Sequence, residues 1–219
     1  DSGSMKIIKE TKGMCPVCGK LLPATVTEED GAIWIRRTCP EHGEFRSLYW
    51  SDAEMYHRFE QYDREGRGVY NPNTNTPGEC TQRCGLCSHH KSGTLLANID
   101  LTNRCNLNCE FCFANARACG YIYEPTFDEI VSMLALLRNE EPVPCPAVQF
   151  AGGEPTMRDD LVEIIKKAEE FGFSQVQMAS NGIKLARNPD LAKELREAGV
   201  STVDLQFAGI RKSANPFLD

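Results

Sequence analysis

Cys105-Asn-Leu-Asn-Cys109-Glu-Phe111-Cys112 follows directly on a compact apolar run at residues 95–101, in a loop that leaves a strand. Three thiols this close together can converge on one iron–sulfur cube, for which cysteine is the usual protein ligand. A cube has four irons, so three local thiolates leave one iron without a protein ligand. The logic parallels that of zinc, where a full ligand set marks a structural site and an open position a catalytic one. Read alone, the same stretch could also be a structural cluster completed by Cys119 or Cys145.

Downstream, residues 147–151, 175–179 and 203–207 are further short apolar runs, separated by three segments with helical ends. Thr126-x-x-Glu129 is a capping box, followed by Ile130, Met133, Leu134 and Leu137 on one face. Leu161, Ile164, Ile165 and Ala168 mark a second helix closed by Gly172, and a third runs from Asn188-Pro189 to Gly199. Strand and helix alternating at this spacing predict right-handed βαβ units and a parallel sheet of four strands. The second strand ends in Gly152-Gly153-Glu154-Pro155. Two glycines let the backbone approach a ligand with no side chain in the way, and strand C-terminal ends are where α/β barrels bind ligands. A plain turn would explain these four residues equally well if they stood alone. Ser180-Asn181-Gly182 ends the third strand and Gln206 lies near the end of the fourth.

Upstream, Cys15-x2-Cys18 and Cys39-x2-His42 flank β-prone runs at residues 24–27 and 32–37, with another at 44–50. Four ligands at this spacing suit a closed tetrahedral site, with zinc the default and a rubredoxin-like mononuclear iron the alternative. Asp52 is a plausible cap for a helix over residues 52–62, on which His57 reads as a surface or packing residue. Residues 66–78, rich in Asn, Pro and Gly, form a connector. Cys80-x3-Cys84-x2-Cys87 then repeats the cysteine spacing before the first parallel strand and reads as an auxiliary [4Fe–4S] centre. Its fourth ligand could be His89, His90, Cys119 or Cys145. The divisions expected are residues 5–63 for the metal ribbon and helix, 64–94 for the linker and auxiliary segment, and 95–219 for the parallel region.

Composition agrees with a globular protein: 219 residues, 41% hydrophobic, 25% charged, net charge −7. That acidity argues against a general nucleic-acid binder or a polybasic membrane anchor. No window is apolar enough to span a bilayer and no signal peptide is evident. Eleven cysteines, an odd number and mostly clustered, do not form a secreted disulfide framework. The expected location is therefore the reducing cytoplasm, with peripheral contact to a membrane if the substrate is a lipid.

Cys105, Cys109, Phe111 and Cys112, together with Gly152-Gly153-Glu154-Pro155, resemble the radical S-adenosylmethionine (SAM) superfamily. The resemblance implies a partial (β/α) barrel, here cut short after about four strands, in which the three thiolates hold a [4Fe–4S] cluster. The fourth iron would chelate SAM, whose cleavage yields a 5′-deoxyadenosyl radical that abstracts hydrogen from unactivated carbon. Phe111 would contact the adenine through its backbone, and Gly152 to Glu154 would receive the SAM amino group, with Pro155 completing that turn. Ser180, Asn181 and Gln206 would be candidate ribose or carboxylate contacts. An external ferredoxin- or flavodoxin-like donor would supply the electron.

The order ribbon, auxiliary segment, radical-SAM loop, with Cys39-Pro-Glu-His42-Gly and Phe113-Ala-Asn-Ala116, looks like the radical-SAM proteins that include the tetraether lipid synthases. That resemblance implies carbon–carbon coupling of lipid chain termini as the leading activity. Methylation of a pterin-type cofactor by a related enzyme, or a non-catalytic electron-transfer module, are the alternatives.

Overall fold

The computed structural model describes residues 5–72, 74, 86–109, 112, 114–116 and 119–206. Cys80, Cys84 and Phe111, with the chain beyond Gln206, lie outside the described residues. The chain divides into two compact units, residues 1–92 and 93–219.

In the first unit, β1 (Lys6–Met14), β2 (Leu21–Glu29), β3 (Ala32–Cys39) and β4 (Gly43–Trp50) form an antiparallel meander in that order. Asp30-Gly31 joins β2 to β3, with φ of 50° and 74°. Two residues in the left-handed region match the right-handed twist of the flanking strands. β1 was not evident from the sequence because it is an edge strand whose nine residues include Lys6, Lys9, Glu10 and Lys12, with no apolar alternation to mark a buried face. The helix α1 (Ala53–Glu60) starts at Asp52, whose carboxylate accepts from Met55 N at 2.9 Å. It places Ala53 and Tyr56 against Val26 and Ile33.

His57 is fixed between two carboxylates, with Nε2 3.0 Å from Glu28 and Nδ1 3.3 Å from Glu60. These contacts, Glu28 first, raise its pKa above the ordinary value of 6.5. A raised folded-state pKa stabilises most below the unfolded value, and the contribution disappears as pH rises through the folded one. The melting-temperature gap between wild type and His57→Gln should therefore be widest near pH 6 and narrow as pH is raised through and beyond 6.5. A gap that widens over that range would contradict the ion pairing.

In the second unit, β5 (Leu96–Thr102), β6 (Ala147–Gly152), β7 (Gln175–Ser180) and β8 (Thr202–Leu205) are parallel and lie in sequence order. The connections carry α2 (Phe127–Arg138), α3 (Leu161–Glu170), α4 (Ile183–Arg187) and α5 (Pro189–Ala198). Ile99, Leu101, Val148, Phe150, Val176 and Met178 from the strands meet Ile130, Leu134, Ile164, Ile165 and Leu195 from the helices. The capping box at α2 is formed in both directions, Glu129 N to Thr126 Oγ1 at 3.2 Å and Thr126 N to Glu129 Oε2 at 2.7 Å. The short α4 carried no legible signal, having no buried residue and no side-chain cap. Because the strands are parallel, their C-terminal ends share one edge, and the residues singled out above emerge there together.

Candidate active site and metal centre

Past the end of β5 the chain stays bonded to β6. Gly153 N donates to Thr102 O at 2.6 Å and Glu154 N to Arg104 O at 2.8 Å. A Cβ on Gly152, whose φ is +128°, would stand 2.3 Å from Thr102 O, and one on Gly153 would stand 2.2 Å from Arg104 O. What excludes a side chain at both positions is the chain's own backbone leading into Cys105. The glycines thus fix the cysteine loop against the Gly-Gly-Glu-Pro turn, with two of that turn's amides already engaged.

Glu154 is 1% exposed. Its carboxylate accepts from Thr156 Oγ1 (2.7 Å), Thr156 N (3.2 Å), Ser180 Oγ (2.8 Å) and Asn181 N (2.8 Å). The side chains of Glu154 and Ser180 therefore bond to each other, and Pro155 is buried at the start of a short 3-10 turn, Pro155–Met157. Asn181 extends the connection: its Nδ2 donates to Asn106 Oδ1 at 2.7 Å and lies 4.0 Å from Cys105 Sγ. Gln206 is exposed just beyond β8, its backbone N bonded to Ser180 O at 3.1 Å.

Cys105, Cys109 and Cys112 line one small pocket with Asn108 and Asn115. Burial, and then the charges of Cys105 and Cys112, push the Cys109 thiol up. Such mutual repulsion is what a shared cation centre relieves. No fourth cysteine lines this pocket among the described residues. Cys119 Sγ is engaged elsewhere, 3.0 Å from Asn103 Nδ2 and 3.1 Å from Tyr121 O. Cys145 is buried in the core of the parallel unit with its thiol donating to Ala147 O at 3.2 Å, which leaves it no open face for a cluster. The donor set fits a cube with one open iron. Beside it lies a cavity of about 390 Å³, lined by Asn103, Arg104, Cys105, Tyr121, Ile122 and Met157 among others.

Three residues that shape this edge went unnoticed in the sequence. Asn103 holds the loop beyond Cys119, donating to Tyr121 O at 2.8 Å and accepting from Tyr123 N at 2.9 Å. Arg104 donates to Glu124, which also accepts from Thr102 Oγ1 at 2.6 Å. Burial opposes ionisation of Glu124, but these two partners outweigh it and its pKa is lowered. Arg158 is buried, donating to Leu101 O (3.0 Å), Pro125 O (2.7 Å) and Asp160. Its proximity to Gly-Gly-Glu-Pro was the only available signal, and nothing in its spacing tells a buried tie from a surface charge.

In the ribbon, the ligand atoms of Cys15, Cys18, Cys39 and His42 all lie within 4.8 Å of one another. Cys18 and Cys39 sulfurs are 3.9 Å apart, and His42 Nδ1 is 3.7 Å from Cys15 Sγ and 3.4 Å from Cys39 Sγ. A tetrahedral ion with sulfur at about 2.3 Å and nitrogen at about 2.0 Å sets its ligand atoms about 3.5–3.8 Å apart. The fit is close. Burial opposes ionisation of Cys15, yet the N–H groups of Cys18 and Val17 and the neighbouring thiols bring its pKa down to about 6. Cys18 moves the other way: Lys20 N–H favours its thiolate, but burial, hydrogen bonds to the Cys15 and Cys39 sulfurs and the Cys15 charge raise its pKa. One thiolate is favoured and the next resisted until a cation is present. Of the proposed auxiliary set only Cys87 is described, with His90 N donating to its carbonyl at 3.0 Å.

A parallel sheet with three thiols after its first strand and a glycine pair after its second defines a class, and sequence comparison agrees. Residues 99–216 match the Radical SAM superfamily, and the chain belongs to it. Membership implies a [4Fe–4S] cluster and SAM as cofactors. Residues 7–51 match the HMPTM N-terminal zinc ribbon domain. The 7,8-dihydro-6-hydroxymethylpterin dimethyltransferase of Methanocaldococcus jannaschii is 55% identical over 210 residues, 96% of this chain and 40% of that protein. The Fe-coproporphyrin III synthase of Methanosarcina barkeri is 36% identical over 118 residues, 54% of this chain and 28% of that protein. Among solved structures, BtrN in complex with AdoMet and 2-DOIA aligns with a TM-score of 0.43 at 17% identity, covering 57% of this chain and 52% of that one. The chain thus spans less than half the length of these two curated relatives.

The expectation of a tetraether-type lipid coupling enzyme is overturned by the pterin dimethyltransferase relative. The reason is that ribbon, cysteine loop and glycine turn are the parts that mark the class as a whole, so reading them carries no signal for a lipid tail over a ring. Among the described residues no helix is long and apolar enough to cross a membrane.

Proposed function

We propose that this chain is the radical-generating portion of a radical SAM methylase whose substrate is a reduced pterin. The observation that carries the reading is 55% identity to the pterin dimethyltransferase along 96% of this chain, ribbon included. Cys105, Cys109 and Cys112 hold the [4Fe–4S] cluster, leaving one iron for SAM. An ammonium group only donates, so the carbonyl oxygens of this turn, and not its amides, are what would receive it. On this reading Phe111 supplies a backbone contact to the adenine, and Asn181 and Gln206 supply ribose or carboxylate contacts. When bound, the cluster and SAM together supply a 5′-deoxyadenosyl radical, after an external donor provides one electron.

The protein's own part is to orient and to exclude water. Asn103, by holding the 119–123 loop, keeps Tyr121 and Ile122 on the wall of the cavity next to Cys105. Its volume is within the range of small-molecule sites, about 300–1,000 Å³. An aromatic and apolar wall with an arginine suits a flat, polar-edged ring. Cys15, Cys18, Cys39 and His42 hold zinc in preference to a rubredoxin-like iron, since one ligand is an imidazole and the family match is a zinc ribbon. Cys80, Cys84 and Cys87 hold an auxiliary cluster.

The test uses the full-length protein, reconstituted anaerobically and given SAM, a reductant, a one-carbon donor and 7,8-dihydro-6-hydroxymethylpterin. The expected products are 5′-deoxyadenosine and a methylated pterin, both lost in Cys109→Ala while zinc is retained. Deoxyadenosine without any methylated pterin, under conditions that also supply a one-carbon donor, would overturn the substrate assignment and leave the radical chemistry standing.

A further inference from the structure

We infer that Asn181 is a positioning residue for the cluster: its side-chain amide donates toward the Cys105 sulfur and raises the reduction potential of the centre held there. The inference rests on the reading that Cys105, Cys109 and Cys112 hold that cluster.

The orientation of the amide is decided by its neighbours. Ile183 N donates to Asn181 Oδ1 at 3.1 Å, so the oxygen faces α4 and Nδ2 faces the cysteine loop. One Nδ2 hydrogen goes to Asn106 Oδ1 at 2.7 Å, and the sulfur of the adjoining Cys105 lies 4.0 Å from the same nitrogen. Leu107 N also donates to this sulfur, at 3.4 Å. The main chain of Asn181 is fixed in turn, because its N–H donates to the buried Glu154 carboxylate at 2.8 Å. Glu154 also takes Ser180 Oγ and both the hydroxyl and the amide of Thr156. An anion with four donors around it is a rigid anchor. A path of hydrogen bonds therefore runs from the glycine turn through the end of β7 to the first cluster thiolate. None of these bonds needs a cofactor to form. The Glu154 carboxylate is accounted for by these donors without assigning it to SAM.

Hydrogen bonds to cluster sulfur favour the reduced, more negative state and are among the levers that set iron–sulfur potentials. Removing the Asn181 donor should make the cluster harder to reduce. The measurement is a potentiometric titration of the full-length reconstituted enzyme, following the reduced-cluster EPR signal that responds to SAM. Asn181→Ala should keep its iron and zinc and shift the midpoint to a more negative value, and Asn181→Gln, which retains an amide donor, should recover part of the shift. An unchanged midpoint in Asn181→Ala overturns the inference. Should Asn181→Ala lose its iron, Asn181→Gln decides: iron and midpoint recovered together support the donor role, and failure to recover them overturns it. A SAM-responsive signal that survives Cys105→Ala would instead sink the cluster assignment, a different failure.

Discussion

Gly152→Ala should cost the parallel unit a large share of its stability. At φ +128° the new residue would sit in backbone space that side chains rarely occupy, and its Cβ would stand 2.3 Å from Thr102 O and 3.1 Å from Thr102 N. Both obstacles are backbone atoms in the β5–β6 pairing, where Thr102 lies opposite Gly152, so neither can swing aside as a side chain tip could. Overpacking costs about 1–3 kcal/mol and a strained residue about 1–3 kcal/mol more. The sum, roughly 2–6 kcal/mol, is large against a domain stability of about 5–15 kcal/mol. Gly172→Ala supplies the comparison, having φ of +76° with nothing within 4 Å of the added Cβ. It should lose only the conformational part, about 1–2 kcal/mol. Denaturant titration of both variants separates the two causes. Equal losses would show that the backbone contact at Thr102 does not matter. The same displacement would move Arg104 and Cys105, so the Gly152 variant should also incorporate less cluster iron.

The strands and the helices α2, α3 and α5 of the parallel unit are legible because they carry periodicity and end signals, from the Thr126–Glu129 box to Gly199; α4 carries neither. Legible too was the assembly of the site: parallel strands must bring residues 102–105, 152–155 and 180–182 to one edge, whatever the side chains do. What the sequence could not show was the direction in which each group faces. Gly152 and Gly153 were read as room for a ligand, and the structure gives that room to the carbonyls of Thr102 and Arg104. Glu154 enters the sequence reading only with the glycines, as part of a turn receiving the SAM amino group, and its carboxylate turns inward to Ser180, Thr156 and Asn181. Glycine signals close approach without naming what approaches, and a buried carboxylate has the same letter as an exposed one. Substrate was least legible, since the motifs that identify the class belong to the step all its members share.

Stripping zinc from the ribbon should unfold the first unit while the parallel unit keeps its secondary structure. The ribbon's interior is two small clusters. Val26, Ile33, Ala53 and Tyr56 form one, and the other is Cys15, Leu22 and Cys39, of which two members are themselves ligands. Two such clusters bury too little to order a four-stranded meander and a helix against conformational entropy, a shortage that small domains generally meet with metals or disulfides. A structural zinc contributes about 10–16 kcal/mol of apparent binding free energy in comparable small sites. Without it, the Cys15 thiolate keeps only hydrogen bonds from the neighbouring N–H groups and thiols, and nothing draws the four ligand atoms into one tetrahedron. A strong chelator, or Cys39→Ser, should therefore expose residues 6–60 to limited proteolysis, with fragments mapped by mass spectrometry, and zinc added back to the wild type should restore protection. His42→Cys should keep the metal, because four thiolates also make a closed tetrahedral site. A ribbon that stays protease-resistant after its zinc has left would mean that strand pairing alone holds it, and that the four ligands are incidental to its fold.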